Sequence, residues 1–326
     1  MLRSTTRRRF LIGAAAAPFF LRRASAASFP SRSIRIIIGF PPGGGIDILA
    51  RLIAPKMSER LGQAVIVDNR PGANGQIATQ AVAQAEPDGH TILFGTTGNL
   101  AINPVLYAGR PGADIEHNFL PVSEVASLSF VLVVGPSMPA KSLKELIEFA
   151  KTNPDKVLFG SSGIGGLPHL CGELLNLQAS IRTVHVPYRG SAPAFTDLIS
   201  GHVHYVFDAF AIAQPHIAAG TIRPLAATGP QRIAALPDVP LMKETLPDFE
   251  VENWYGMVVH KGTPADIIDR LQQEVAYALK QPDVIQRTAS LGLDLVGTTP
   301  SQFAKFQQAE ILKWGAVIRS ADIRVE

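Results

Sequence analysis

The sequence predicts an α/β protein built on a parallel sheet with helices on its faces. Two observations lead there. Short β-branched runs recur, each ending in a glycine- or proline-rich turn that opens onto an apolar helical stripe. The chain is also long: 326 residues, of which the first 26 read as a removable leader, leaving 300. A body of that size favours two lobes over one.

Ile34–Gly39 is a buried strand, followed by the turn Phe40-Pro41-Pro42-Gly43-Gly44-Gly45. Ile46, Leu49, Ala50, Ile53 and Met57 then recur at helical spacing. Val65–Val67 is the next strand, Arg70–Gly75 a loop, and Gln76–Ala85 a helix stopped by Glu86-Pro87-Asp88-Gly89. Thr91–Gly95 is a third strand, ending in Thr96-Thr97-Gly98-Asn99. Phe130–Val134 is another, and Ser142 with Glu145 forms a capping box for a helix running to Lys151. Val157–Phe159 leads into a second glycine-rich loop, Gly160–Gly166, with helix from Pro168 to Leu177. The strand Thr183–Val186 feeds Pro187-Tyr188-Arg189-Gly190, and Pro193–Ile199 is helical. The strand Val203–Phe207 reaches Asp208, and Arg223–Thr228 is a short strand. Prolines 237, 240 and 247 mark an extended connector. Thr263-Pro264 opens a helix with Ile267, Ile268, Leu271, Val275 and Leu279 on one face. Thr299-Pro300 repeats that start signal, with Phe303, Phe306 and Leu312 continuing the stripe.

Residues 1–26 read as an export signal. Arg7-Arg8-Arg9 precede an apolar stretch of 12 residues, Phe10 to Leu21, and Ala24-Ser25-Ala26 supplies a small-residue cleavage pattern. Twelve residues at 1.5 Å each fall short of a bilayer core of ~30 Å. The arginine pair before Phe10-Leu11 is similar to a twin-arginine signal; an Arg-rich general secretory signal is the alternative. Either route places the mature protein in the periplasm or on an outer cell face.

Removing the leader changes the charge. It carries six arginines and no acid, so 30 Lys and Arg fall to 24 against 27 Asp and Glu, and the net charge moves from +3 to −3. No basic stripe remains, which argues against a nucleic-acid partner. The only cysteine, Cys171, sits among leucines and reads as a small buried hydrophobe, with no internal disulfide to form.

Neither glycine-rich loop fits a nucleotide motif. Gly43-Gly44-Gly45-Ile46-Asp47 lacks the Gly-Lys-Ser/Thr end of a P-loop. Gly163-x-Gly165 lacks the third glycine of a dinucleotide fingerprint, where Pro168 stands. Helix starts still offer unpaired N–H groups and a positive dipole end, and glycines let a ligand approach the backbone. Together the loops favour a small-anion site, best suited to a carboxylate; taken singly, each could serve a turn alone. Other chemistry lacks support. Gly160–Ile164 is not a nucleophile elbow, because Ile164 replaces the second glycine. His202 and His204 share a strand face but have no third ligand at motif spacing. His169 reads as a hydrogen-bonding group for loop or ligand. No cofactor is expected.

Nine short motifs then occur in order, among them Gly39-Phe40-Pro41-Pro42-Gly43-Gly44-x-x-Asp47, Asn69–Gly75, Pro87–Thr91, Ser161-Ser162-Gly163-x-Gly165, His169-Leu170-x-x-Glu173, His185–Gly190 and Trp254-Tyr255-Gly256. Together they resemble the Bug family, the substrate-binding proteins of tripartite tricarboxylate transporters, from Pro30 to the end of the chain. The resemblance implies a two-lobed periplasmic-binding-protein fold of type II kind. Each lobe would be a mixed, mostly parallel sheet flanked by helices. It places lobe one at 27–130 and 228–326, lobe two at 131–227, and a hinge of two crossings near Phe130 and Thr228. It implies a monomer that is not an enzyme, binds a small carboxylate (di- or tricarboxylate, acidic amino acid, aromatic or heterocyclic acid), and delivers it to membrane components of the transporter. Carried over, the ligand would meet Phe40, Pro42, Gly43, Gly44 and Asp47, with Asn74, Thr96 and Thr97 nearby. The facing lobe would supply Ser161, Ser162, Gly163, Gly165, His169, Tyr188, Arg189, Gly190 and Asp208. The rivals are a flytrap sensor read by a membrane kinase, which has the same cleft, and an exported hydrolase, which would need a nucleophile–base pair or metal.

Overall fold

The fold was read from a computed structural model that describes residues 29–110 and 113–325. The leader, 1–26, lies outside the described residues. Strand and helix alternate first as β1 (Ile34–Ile38), α1 (Gly45–Leu61), β2 (Val65–Asn69), α2 (Gln76–Ala83) and β3 (Thr91–Thr96). Two single-turn helices, α3 (Asn103–Leu106) and α4 (Ile115–Asn118), lead to β4 (Phe119–Val134). A second alternating run follows: α5 (Leu143–Thr152), β5 (Leu158–Ser161), α6 (Leu167–Ala179), β6 (Val184–Pro187), α7 (Ser191–Ser200), β7 (Tyr205–Ala209), α8 (Phe210–Ala218) and β8 (Arg223–Ala227). The chain closes with β9 (Glu252–His260), α9 (Ala265–Ala278), α10 (Pro282–Ala289), β10 (Asp294–Leu295) and α11 (Pro300–Ser320).

The strands form one path, β2-β1-β3-β9-β4-β7-β5-β6, with β8 and β10 also on β4. This path is a two-lobed, mixed sheet with β4 common to both halves. Phe119–Ser129 of β4 pairs antiparallel with β9, and Phe130–Val134 pairs with β7 and β8. In the first half β1 to β4 run one way and β9 and β10 the other. In the second, β5 to β8 run together against β4. Most strands in each half therefore share a direction, as the strand–loop–helix repeats require.

The crossings between halves are pinned to each other. Thr228 follows β8 directly, and its Oγ1 accepts from Phe130 N at 2.9 Å and donates to Val251 O at 2.7 Å. One apolar core joins β1, β3, β9 and the second-half residues Phe159, Leu170 and Leu175. A smaller core lies on the other face of the second half, around Val131, Val133, Phe195 and Val206. Helix α6 packs on α11, so the halves also meet away from β4. Cys171 is buried there, and burial pushes its thiol up, which keeps it unreactive. One expectation needs correcting: Leu312 is exposed and not part of the α11 stripe. Nine residues from Phe303 is two and a half turns, which places it on the opposite side. Phe303, Ile311, Trp314 and Ile318 form the buried face.

Candidate functional site

A cleft of about 540 Å³ lies where β1, β3, β5 and β7 end, between the two halves of the sheet. The carboxyl ends of parallel strands are where helix starts converge and α/β proteins bind ligands.

The first wall is the turn between β1 and α1. Gly39 lets this turn lie against the next loop, since a Cβ there would stand 2.6 Å from Gly75 Cα. Phe40, Gly43, Gly44, Gly45 and Ile46 line the cleft, whereas Pro42 and Asp47 do not. Gly44 caps α1 without a side chain, so the first backbone N–H groups of the helix keep no internal partner. Asp47 turns back into the loop. Its Oδ2 accepts from Gly43 N at 2.9 Å, its Oδ1 accepts from Asn69 Nδ2 at 2.9 Å, and Arg51 Nε donates at 3.0 Å. Burial lifts the Asp47 pKa, but Arg51, Gly43 N–H and Asn69 together hold it below the usual carboxylate value. Asn69 Nδ2 also donates to Phe40 O, so the loop is braced at both ends.

Asn74 lines the cleft with φ at 52°, held there because its carbonyl accepts from Asn99 Nδ2 and Asn103 Nδ2. Thr96 also lines it. Thr97 is buried away from it and clamps β9, with Oγ1 accepting from Trp254 N at 2.8 Å. That clamp presents Tyr255, whose hydroxyl would be 3.0 Å from a Cβ on Gly45. Tyr255 lines the cleft, and burial pushes its pKa up to about 12, so it stays a neutral hydroxyl.

On the opposite wall Ser162, Gly165, Gly166, Leu167 and Pro168 line the cleft, at the start of α6. Ser161, Gly163 and His169 stand behind them. His169 Nδ1 accepts from Gly165 N at 3.0 Å, which puts the ring proton on Nε2. The His169 ring stacks on His185 at 3.6 Å between centroids. Burial, and then His169, push His185 down to about 3, so it is neutral. Ser161 Oγ lies 2.6 Å from His185 Nε2, a nucleophile–base distance. The serine is fully buried and the histidine is a very weak base, so the pair secures the loop instead of meeting a substrate. Tyr188, Arg189 and Gly190 are outside the lining: Tyr188 OH donates to Asp197 at 2.6 Å, and Gly190 N donates to Ser162 O. Arg189 is exposed. His204 Nδ1 accepts from Leu158 N, and His202 lies on the surface beside Ser200 and Asp197. Among the described residues no three His, Cys, Asp or Glu side chains gather as metal ligands.

Asp208 closes β7 and lines the cleft at 4% exposure. Its Oδ1 accepts from Ala209 N at 2.8 Å, while Oδ2 is buried without a hydrogen-bond partner. Burial raises its pKa; the nearby Ser191 hydroxyl and Ala209 N–H oppose that, although Ser191 makes no hydrogen bond of ordinary geometry. Other lining residues were not read as part of the site from the sequence, among them Leu128 to Phe130, Phe210 to Ile212, Asn253, Tyr255 and Leu291 to Leu293. A tyrosine and an asparagine inside the apolar run 252–260 were the available signal. No lysine, arginine or histidine is among the lining residues.

Comparison with known proteins agrees with this architecture. Residues 49–323 match the family described as tripartite tricarboxylate transporter family receptor. A UPF0065 protein in the tcbD-tcbE intergenic region of Pseudomonas sp. strain P51 is 39% identical over 316 residues, 96% of this chain and 94% of that one. The solved structure of R. palustris Rpa4515 with adipate is 35% identical, with a TM-score of 0.75 over 91% of this chain and 99% of that one. The periplasmic binding protein BugD is 31% identical, with a TM-score of 0.72 over 91% of this chain and 100% of that one.

Proposed function

The chain belongs to the tripartite tricarboxylate transporter receptor family, and on that premise we propose that it captures a small carboxylate between its lobes and delivers it to the membrane components of such a transporter. The observation that carries the reading is the uncapped start of α1, with Gly44, Gly45 and Ile46 along a cleft that has no cationic side chain. Free N–H groups at the positive end of a helix dipole hold an anion without a counter-charge. Adipate in the Rpa4515 structure supports the ligand class.

The protein works without chemistry. Lobe one is 27–130 with 228–326 and lobe two is 131–227, so the crossings fall at Phe130 and Thr228. The solute binds one wall, and the second wall closes over it because the closed form adds contacts. The site is periplasmic, reached after loss of residues 1–26, and the receptor acts as a monomer. Among the described residues no helix is long and apolar enough to cross a membrane.

A thermal-shift titration of ligand-stripped protein against small carboxylates tests this. A ligand at about 100 times its dissociation constant adds ~2.7 kcal/mol. At roughly 2–4 °C per kcal/mol that is a shift of several degrees. Absence of any shift across mono-, di- and tricarboxylates would refute the reading.

A further inference from the structure

We infer that Tyr255 is a ligand-binding residue whose hydroxyl donates a hydrogen bond to the solute carboxylate seated at the start of α1. The inference deepens the carboxylate reading above and rests on it.

Three observations on lobe one carry it. The first is position. The Tyr255 hydroxyl stands over the first residue of α1, because a Cβ added to Gly45 would meet it at 3.0 Å, and both residues line the cleft. Gly45 and Ile46 start the helix without a side-chain cap, so their N–H groups point at whatever lies there. The second is the state of the hydroxyl. Tyr255 is 6% exposed, and among the described residues its hydroxyl makes no hydrogen bond; burial alone raises its pKa. A buried hydroxyl calls for a partner. Its neighbours at the helix start are N–H donors, so the group that satisfies both is an acceptor, and a carboxylate oxygen makes the strongest such bond. Other polar groups of the lining differ. Asn74 Nδ2 already donates to Asn103 and Thr96 Oγ1 to Asn99, while Ser129, Ser162 and Asn253 are only half-buried and meet water.

The third observation is rigidity. Tyr255 lies on β9 between Thr96 of β3 and Ala126 of β4, so its backbone is paired on both sides. Thr97 Oγ1 holds the preceding residue, Trp254, through its N–H. The Tyr255 ring meets Phe94 edge-on at 6.3 Å between centroids. The donor is therefore aimed before the solute arrives, and little freedom is lost when it bonds. Phenylalanine would fill the same space and keep the same ring contact, but would bring no donor.

Tyr255→Phe tests this by calorimetric titration of ligand-stripped protein with adipate, malate, citrate and benzoate, beside thermal unfolding of the unliganded protein. Each acid that binds wild type should bind the variant about tenfold or more weaker, one decade in dissociation constant. The unliganded unfolding midpoint should stay level or rise, since a buried hydroxyl without a partner is removed. Unchanged affinity overturns the inference and leaves the carboxylate reading standing. Lower affinity together with a midpoint several degrees lower also overturns it, because the hydroxyl would then serve the fold. Failure of all four acids to bind wild type overturns the inference and the reading beneath it.

Discussion

Glu124 should make the stability of this protein fall as pH rises, and Glu124→Gln should remove that dependence. The residue sits on β4 at 6% exposure. Its pKa is pushed up to about 7 from 4.5, first by burial, then by Glu252 and Glu310. Glu310 is fixed nearby, accepting from the indole N–H groups of Trp254 and Trp314 at 3.0 Å each. Below pH 4.5 the carboxyl is protonated folded or unfolded, and costs nothing. Between about 4.5 and 7 the unfolded chain ionises while the folded one keeps its proton, so stability drops with rising pH. Above about 7 the full cost is present. A shift of that size, at 1.36 kcal/mol per pH unit, is about 3 kcal/mol as an upper bound. Thermal unfolding of both proteins at pH 4.5 and pH 8 isolates it. The variant should match wild type at the lower pH and exceed it at the higher by several degrees, at roughly 2–4 °C per kcal/mol. A difference between the two that stays constant with pH would refute the argument.

Other expectations follow from the same contacts. Asp47→Ala should lower solute affinity about tenfold or more, since hydrogen bonds to a charged group carry ~1.5–3 kcal/mol and this carboxylate braces the α1 turn. Asp47→Asn, which can still accept from Gly43, should lose less; equal losses in titration would show that the brace is unimportant. Gly75→Ala should destabilise by about 2–3 kcal/mol in urea unfolding, from left-handed backbone and a core clash. Its Cβ would stand 1.9 Å from Asn99 Nδ2, at φ 84°; an unchanged midpoint would contradict this. Arg189→Ala should leave affinity nearly unchanged, because the guanidinium is exposed outside the cleft lining. A sharp loss would mean that it swings over the mouth on closure.

The α1 wall was readable in the sequence because its devices are local. Ile34–Ile38, three glycines and the stripe from Ile46 name a strand, a turn and a helix within a few residues. The long middle of the sheet was not readable. Phe119–Ser129 carries Pro121, Ser123, Glu124 and Ser127, and two register shifts break its alternation. Strand β9 contains Asn253 and Gly256, the latter packed under Phe303, so its pattern depends on a partner about 50 residues away. Residue types also did not tell which way a side chain turns. Asp47 and His169 suit a ligand equally well, yet both bond their own loops, through Gly43 N and Gly165 N. Phe210 and Ile212 enter the cleft only because α8 begins where β7 ends, a fact of tertiary placement.

The Thr228 hydroxyl links both chain crossings in one knot with Phe130 and Val251. On the proposed lobe boundaries, neither crossing can then turn without carrying the other. The proposed closure would then lose the freedom to wobble and keep a single axis, like a door on one pin. Every solute that closes the cleft would therefore bring the outer rims of the lobes to the same relative pose. A receiving membrane component could read that pose without ever sensing which solute lies inside.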